Sequence, residues 1–258
     1  MTEVLRLERH DGVALLTLDR PQRLNAIGSD THAQLQSALD AIEADPALRA
    51  VVITGAGSVF SAGADISEMR TITGTEAFES FIRGFHACHS RLSALGQPSI
   101  AAINGLAFGG GFELALACDI RIAARTAKLG LPEIKLGLLP GAGGTQRLTR
   151  LVPMNIAQEL IIAGRTLDAE RAYSLGLVNS VTEPDDVLET ALQLGRDLAA
   201  GPPRAMALGK RLLREGLELD LPAALEFEIE AGRAVFGAAE AKEGLAAFAA
   251  KRPPRWPA

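Results

Sequence analysis

The chain has 258 residues, 48% of them hydrophobic and 22% charged, which is typical of a globular protein with an ample core, either as one large domain or as one domain with a smaller helical appendage. A formal net charge of −5, without a cluster of lysine and arginine, argues against a nucleic-acid-binding surface. The first residues lack an apolar signal segment, no apolar run approaches the roughly 18 residues of a membrane helix, and there are only two cysteines; we therefore expect a cytoplasmic protein with reduced thiols and no membrane association.

The first half of the chain alternates strand-like and helix-like segments. Runs rich in leucine or β-branched residues at 13–19, 50–55 and 99–105 end in turn residues and predict buried strands. Residues 29–44 have helical spacing, and residues 119–124 predict a further strand. This alternation predicts an α/β core in which helices cover sheets.

From residue 185 onward the sequence is typical of helices, with Pro202, Pro203 and Pro222 at their starts. Alanine, leucine and phenylalanine are frequent in these segments, which favours packing of their apolar surface against another subunit. We therefore predict a core of residues 1–184 that carries the functional site, and a helical region of residues 185–258 that takes part in oligomerisation.

Several common site signatures are incomplete in this sequence. The glycine-rich runs at 109–114 and 141–146 lack the third glycine of a dinucleotide-binding motif, and no serine follows a glycine by two positions as in a nucleophile elbow. His86, Cys88 and His89 cluster on a predicted helix, but no acidic or cysteine partner lies at ligand spacing. Packing and surface positions explain this cluster better than a metal site, and no metal is expected.

Residues 104–120 combine three consecutive glycines with Glu113 in an otherwise apolar run. Both features are costly, because glycine weakens helices and strands and a buried carboxylate needs a partner. Gly109–Gly111 are predicted to end a strand and open a helix, where Gly110 could donate its unpaired N–H to a ligand oxygen as half of an oxyanion hole. The alternative is that Glu113 only complements the helix dipole, although the usual capping box needs Ser or Thr where this sequence has glycine.

Two further segments could complete such a site. Residues 60–69 again pass from a strand into a helix through small residues, and the N–H of Ala64 could be the second donor. Residues 130–144 contribute Glu133, next to Pro132, and then a glycine-rich loop. Two donors and two carboxylates predict a site that stabilises an enolate while protons move at carbon.

Together these segments resemble the enoyl-CoA hydratase/isomerase family, which has the crotonase fold. The likeness extends over nearly the whole chain, through the runs RPQRLNAI, AGADISEM, NGLAFGGGFELALACDI, PEIKLGLLPGAGGTQRL, SLGLVNSV and AKEGLAAFAAKR. It implies an α/β fold built as a spiral of ββα units with a helical C-terminal region, assembled as a homotrimer or homohexamer. It also implies an acyl-CoA thioester substrate whose carbonyl oxygen lies between the N–H groups of Ala64 and Gly110, with Glu113 and Glu133 as catalytic residues.

Because both glutamates are present, the resemblance implies an enoyl-CoA hydratase, which adds water to a trans-2-enoyl-CoA to give the 3-hydroxyacyl-CoA. It needs no cofactor, since coenzyme A is part of the substrate. We assign Glu113 as the base toward water at C3 and Glu133 as the acid toward C2. The alternatives are an enoyl-CoA isomerase or another CoA-thioester dehydratase on the same fold, and a non-catalytic acyl-CoA-binding or RNA-binding homologue. The glutamate pair and the acidic charge argue against the last two.

The resemblance also implies contacts to the rest of the substrate. Arg20 and Arg23 flank a loop that family members place against the CoA nucleotide, with a solvated turn as the alternative for their side chains. Lys251 resembles a contact made across a subunit interface, and Ser67 stands where many hydratases carry a lysine that meets phosphate. Residues 70–95 are expected to shape the acyl pocket, but they identify no acyl chain length. The implied substrate-binding residues are Arg23, Leu24, Ala62, Asp65, Ile66, Ser67, Gly109, Pro132, Gly141, Phe248 and Lys251.

Overall fold

A computed structural model describes residues 3–257. The strands in this range are β1 (Leu5–His10), β2 (Val13–Leu18), β3 (Ala50–Gly55), β4 (Val59–Ser61), β5 (Ser99–Ile103), β6 (Leu106–Phe108), β7 (Ile120–Ala124), β8 (Lys128–Gly130), β9 (Thr166–Asp168) and β10 (Ser180–Thr182). The α-helices are α1 (Ser29–Ala44), α2 (Ile66–Met69), α3 (Thr75–Ala94), α4 (Gly110–Ala117), α5 (Gly144–Thr149), α6 (Met154–Ile162), α7 (Ala169–Ser174), α8 (Val187–Ala199), α9 (Pro203–Glu215), α10 (Leu221–Phe236) and α11 (Ala239–Ala249). Short 3-10 helices lie at Pro21–Arg23, Pro132–Leu136, Pro184–Asp186 and Gly216–Glu218.

The strands of the described range form two sheets. The larger sheet has the order β1-β2-β3-β5-β7-β10 and the smaller one the order β4-β6-β8-β9. All neighbouring pairs are parallel except β1 with β2 and β8 with β9. The predicted strands at 13–19, 50–55, 99–105 and 119–124 are confirmed as β2, β3, β5 and β7, and the predicted helix at 29–44 is confirmed as α1.

From β3 to β8, successive strands go to alternate sheets. The chain passes from β3 to β4, from β5 to β6 and from β7 to β8, and each time it leaves the larger sheet and enters the smaller one. A helical segment follows each pair: α2 and α3 after β4, α4 after β6, and the 3-10 helix at Pro132–Leu136 after β8. This repetition confirms the predicted succession of ββα units.

The main core lies between the larger sheet and the helices packed on it. Every residue of β2, β3 and β5 is buried, as expected for parallel strands covered on both faces. Leu16 and Ile53 are among the fully buried side chains, and each such side chain contributes roughly 1.5–3 kcal/mol of stabilisation. Helix α8 contacts β2, β3, β5 and β7. It therefore packs directly on the sheet.

Helices α9, α10 and α11 follow α8 and pack mainly against one another. Pro203 and Pro222 lie in the first turns of α9 and α10, as predicted, and the Asp220 side chain caps α10 by accepting the Ala223 N–H at 2.9 Å. The division of the chain after residue 184 stays a prediction. Helix α8 lies after this boundary, although it contacts the larger sheet of the core. Among residues 3–257, no helix is both long and apolar enough to span a membrane.

Candidate active site

The topology of the smaller sheet brings the three predicted site segments together. Strands β4, β6 and β8 are parallel neighbours, so their carboxyl ends lie at the same edge. Ala64 follows β4, Gly110 and Glu113 follow β6, and Glu133 follows β8. The four residues that sequence analysis singled out for catalysis therefore meet at one edge of one sheet.

The N–H groups of Ala64 and Gly110 are available to a ligand. Ile27 forms a short parallel bridge with Ala64: it donates to the Gly63 carbonyl and accepts from the Asp65 N–H, both at 2.8 Å. Gly110 is the first residue of α4, where N–H groups lack a partner in the helix. Within residues 3–257 neither N–H donates a hydrogen bond, and a Cβ built on Gly110 would lie 3.5 Å from the Ala64 nitrogen. The two donors are thus close enough to share one oxygen.

Close approaches require glycine at all three consecutive positions, and those at Gly109 and Gly110 involve groups of the site. Gly109 has a φ of +50°, and a Cβ there would lie 2.8 Å from Glu133 Oε1. A Cβ on Gly110 would lie 2.7 Å from Cε1 of Phe85, which packs from α3. A larger residue at either position would displace a carboxylate or an aromatic wall of the site.

Glu113 is 1% exposed and is held by the turn that leads into α5. Its Oε1 accepts the backbone N–H groups of Ala142 at 2.9 Å and Gly144 at 2.6 Å, which leaves Oε2 for a ligand. Burial raises the pKa of Glu113 to about 7; the two N–H groups and Arg147 lower it, and the charge of Glu133 raises it further. Glu113 is therefore a buried carboxyl group at the cavity, with one oxygen bound by two backbone N–H groups.

Glu133 is held differently. It lies in the 3-10 helix that begins at Pro132, and burial raises its pKa above the ordinary value, against the effect of its own backbone N–H. Its Oε2 is buried and has no hydrogen-bond partner among residues 3–257. A buried carboxyl oxygen without a partner favours the protonated form and requires an explanation. This oxygen is available to a ligand in the cavity that Glu133 lines.

These groups line a cavity of about 880 Å³, a size suited to a small-molecule ligand. Both carboxylates and both N–H donors border it. Its remaining wall is largely apolar and includes Met69, Phe78, Ile82, Phe85, Ile134, Leu136, Leu138 and Leu139. The cavity can hold an apolar chain beside a reactive centre with two acids and two donors.

Several predicted substrate contacts border this cavity and others lie apart from it. The cavity lining includes Ala62, Ala64, Ile66, Gly109, Gly110, Glu113, Pro132, Glu133 and Gly141. It does not include Arg23, Leu24, Asp65, Ser67, Phe248 or Lys251. Arg23, Leu24, Ser67, Phe248 and Lys251 are exposed at the protein surface, and Phe248 is 85% exposed. Their roles as substrate contacts stay predictions.

Asp65 and Arg20 have contacts within the protein. The Asp65 carboxylate caps α2 by accepting the N–H groups of Ser67 at 3.0 Å and Glu68 at 3.3 Å, and the Ser67 hydroxyl also donates to it. Arg20 Nη1 lies 3.0 Å from Asp65 Oδ2. These hydrogen bonds and the charge of Arg20 outweigh burial and lower the pKa of Asp65. The pair ties the loop after β2 to the segment that carries Ala64.

The groups that support Glu113 and the cavity wall have no clear signal in the sequence. The N–H groups of Ala142 and Gly144 carry no residue-specific signal, although the glycine-rich run 141–144 marked a loop of unusual backbone. Phe85 and Ile82 line the cavity from α3, within the segment expected to shape the acyl pocket. In residues 3–257 no group of three or more His, Cys, Asp and Glu side chains is arranged to hold a metal ion.

Comparison with known proteins assigns the family. The sequence profile described as "Enoyl-CoA hydratase/isomerase" matches residues 8–258. The chain is 42% identical over 247 residues to the short-chain-enoyl-CoA hydratase of Clostridium acetobutylicum, covering 95% of this chain and 94% of that one. It is 40% identical over 252 residues to the crotonyl-CoA hydratase of Syntrophomonas wolfei, covering 97% and 96%.

The fold agrees with solved structures. The enoyl-CoA hydratase of Bacillus anthracis superposes with a TM-score of 0.95 at 37% identity, covering 98% of this chain and 99% of that one. An enoyl-CoA hydratase from Polaromonas gives a TM-score of 0.96 at 35% identity, covering 98% and 99%. The predicted crotonase-type fold is therefore confirmed, and the chain belongs to the enoyl-CoA hydratase/isomerase family.

Proposed function

We propose that this protein is an enoyl-CoA hydratase that adds water to trans-2-enoyl-CoA thioesters. The observation that carries the proposal is the placement of two buried carboxyl groups and two unpaired backbone N–H groups around one largely apolar cavity. Relatives named as hydratases, at 40–42% identity over almost their whole length, support this reaction.

The two N–H groups serve the thioester. Its carbonyl oxygen accepts from Ala64 and Gly110, and negative charge grows on that oxygen as the enolate forms. Donors fixed in advance stabilise this charge most strongly in the transition state. Removing one such donor typically costs about 3–4 kcal/mol, or roughly 10²–10³ in rate.

Glu113 acts as the base. Two N–H groups hold its Oε1, so Oε2 is oriented to take a proton from the water that attacks C3. The pKa of about 7, raised mainly by burial, lies near neutral pH, where a general base combines ionisation with proton affinity. The new C3–O bond forms as the electrons of the double bond move to C2 and the thioester oxygen.

Glu133 acts as the acid. Burial favours its protonated form, and its unpaired Oε2 borders the cavity. The O–H bond of Glu133 breaks as its proton moves to C2, and the electron pair of that bond stays on the carboxylate. The product is the 3-hydroxyacyl-CoA, and exchange with solvent returns the proton from Glu113 to Glu133. No cofactor takes part, because coenzyme A belongs to the substrate.

The remaining predictions belong to the same proposal. The CoA nucleotide lies against the loop of Arg23 and Leu24, and Phe248 and Lys251 reach it from a neighbouring subunit of a homotrimer or homohexamer. Apolar side chains that are largely exposed in the single chain support such an assembly; they are Leu213, Leu217, Leu221, Phe236, Leu245 and Phe248. Cys88 and Cys118 are both free and buried, which supports a reducing, cytoplasmic location.

The test is direct. Purified protein is incubated with crotonyl-CoA, without added metal or nicotinamide, while the loss of enoyl absorbance is followed and the product is identified by mass spectrometry. We expect a rapid loss of enoyl absorbance and formation of the 3-hydroxyacyl-CoA. No turnover with crotonyl-CoA or longer 2-enoyl-CoA substrates would reject it, and turnover of 3-enoyl-CoA alone would identify an isomerase.

A further inference from the structure

His89 lies behind the active site on the inner face of α3. It is 1% exposed, and its Nδ1 lies 3.0 Å from the carbonyl oxygen of Ala142. A carbonyl oxygen only accepts, so Nδ1 must carry the proton. Burial lowers the pKa of His89 to about 3, and the ring therefore stays neutral across the physiological range. His89 is a permanent hydrogen-bond donor to this one backbone position.

Ala142 is also the residue whose N–H binds Glu113. Its N–H donates to Glu113 Oε1 at 2.9 Å, and Gly144 donates to the same oxygen at 2.6 Å. Gly143, between them, has a φ of +106°, so the loop turns sharply at this point. Arg147 Nη1 approaches the Ala142 carbonyl at 3.4 Å, a weaker contact than that of His89. Among these side chains, His89 provides the closest support of the turn that holds the base.

The same ring also supports the other half of the site. His89 packs edge-on against Phe85, with ring centroids 5.7 Å apart, and Phe85 packs against His32 at 4.3 Å. Phe85 in turn lies against the Gly110 backbone, where a Cβ would come within 2.7 Å of its ring. One buried side chain therefore contacts both the turn that holds Glu113 and the wall behind Gly110.

We propose that His89 is a positioning residue for hydration: it fixes the turn at residues 142–144, which in turn fixes the Glu113 carboxylate against the attacking water. This inference rests on the proposed function. It gives His89 of the His86–Cys88–His89 cluster a role in the reaction through its backbone contact, whereas Cys88 is buried by packing and His86 is exposed.

Several titratable and charged groups face Glu113 and His89. Glu113 is faced by Glu133 from the 3-10 helix and by Arg147 from α5. His89 is faced by His32 from α1, by His86 from its own helix and by Arg147. None of the variants described next changes any of these neighbours, so a change in the pH profile reports on the turn itself.

Three substitutions separate a positioning role from packing. In His89→Asn the amide nitrogen is bonded to Cγ, as Nδ1 is in histidine, so a donor is kept at that position. His89→Gln moves the amide one bond farther from the backbone, and His89→Leu removes the donor. Leu92→Ala, on the same helix and fully buried, is the matched control that loses stability without losing a donor to the turn. Thermal unfolding ranks the four variants by stability. Initial rates on crotonyl-CoA at several pH values give kcat, KM and the acid limb of kcat/KM.

We expect His89→Leu and His89→Gln to lower kcat about 10- to 100-fold, because small displacements of a catalytic group cost rates of this order. KM should change by no more than about threefold, since the CoA contacts are untouched. The acid limb should move to higher pH, because a weakened N–H contact no longer stabilises the Glu113 carboxylate. His89→Asn should recover most of kcat, and Leu92→Ala should keep both kcat and the acid limb.

Other results overturn the inference. If the wild type is active and the His89→Leu and His89→Gln variants keep its kcat and its acid limb, the positioning role is rejected. The proposed function is not affected by that result. If the loss of kcat follows the loss of stability across all four variants, and Leu92→Ala is as impaired as His89→Leu, then His89 contributes only to packing. A wild type without hydratase activity rejects the proposed function, and the inference with it.

Discussion

Replacing Glu113 with glutamine should stabilise the protein while it disables hydration. The substitution removes the charge and keeps the shape, and the amide oxygen can still accept the N–H groups of Ala142 and Gly144. The pKa of Glu113 is raised from its ordinary value of 4.5 to about 7, mainly by burial. At about 1.4 kcal/mol per pKa unit, ionised Glu113 costs the folded protein on the order of 3 kcal/mol.

The direction in which stability changes with pH follows from proton binding. Between pH 4.5 and about 7 the folded wild type holds the Glu113 proton more tightly than the unfolded chain, so its stability falls as pH rises through this window. The glutamine variant has no such loss. The free energy of unfolding of Glu113→Gln, relative to that of wild type, should therefore increase by about 2–3 kcal/mol from pH 5 to pH 8. Buried His32 and His89 charge at low pH in both proteins, so their effect cancels in the comparison.

The assay is urea denaturation followed by circular dichroism at pH 5 and pH 8, at one protein concentration. Glu159→Gln, which removes an exposed carboxylate on α6, is the matched control and should show no such pH-dependent gain. If the difference in free energy of unfolding between Glu113→Gln and wild type is the same at both pH values, Glu113 is not a destabilised buried acid.

Three further predictions follow from the site and the surface. Gly109→Ala should lower hydration at least about 10-fold, because its Cβ would lie 2.8 Å from Glu133 Oε1. Gly176 also has a positive φ, of +73°, but a Cβ there would meet no atom within 4 Å beyond its chain neighbours, so Gly176→Ala should leave the rate unchanged. Equal losses in the two variants would refute the argument from the clash. The acid limb of kcat/KM for the wild type should lie near pH 7, where Glu113 loses its proton, and a rate independent of pH between 5 and 8 would contradict this. Light scattering at micromolar concentration should give the mass of three or six chains, and a monomer mass would count against the predicted assembly.

Local chemistry made much of the site predictable from sequence. The glycines before Glu113, the small residues around Ala64 and the proline before Glu133 all mark places where a strand gives way to a helix start. Such signals depend on a few neighbouring residues, and the structure places all four predicted catalytic positions around one cavity. The strands β2, β3, β5 and β7 were equally visible, because buried parallel strands are continuous apolar runs.

Features that depend on distant contacts were not predictable in this way. The N–H groups of Ala142 and Gly144 bind Glu113 across about thirty positions of the chain, and any residue type can supply a backbone N–H. The contact from His89 to the Ala142 carbonyl spans 53 positions, and in sequence His89 belonged only to an incomplete metal-like cluster. Helix α8 has the amphipathic pattern of any surface helix, so its place on the sheet emerges only from packing.

The central claim is that two carboxyl groups divide the chemistry at one site. It is tested most directly by paired initial rates on 2-enoyl-CoA and 3-enoyl-CoA for wild type, Glu113→Gln, Glu133→Gln and the double variant. Isomerisation moves a proton between carbons and needs no activated water. Glu113→Gln should therefore abolish most hydration but spare part of any isomerase activity, and Glu133→Gln should depress both. The double variant should hydrate no more slowly than the worse single variant, because each loss disables the same concerted step. Hydration by Glu113→Gln at the wild-type rate would contradict the account.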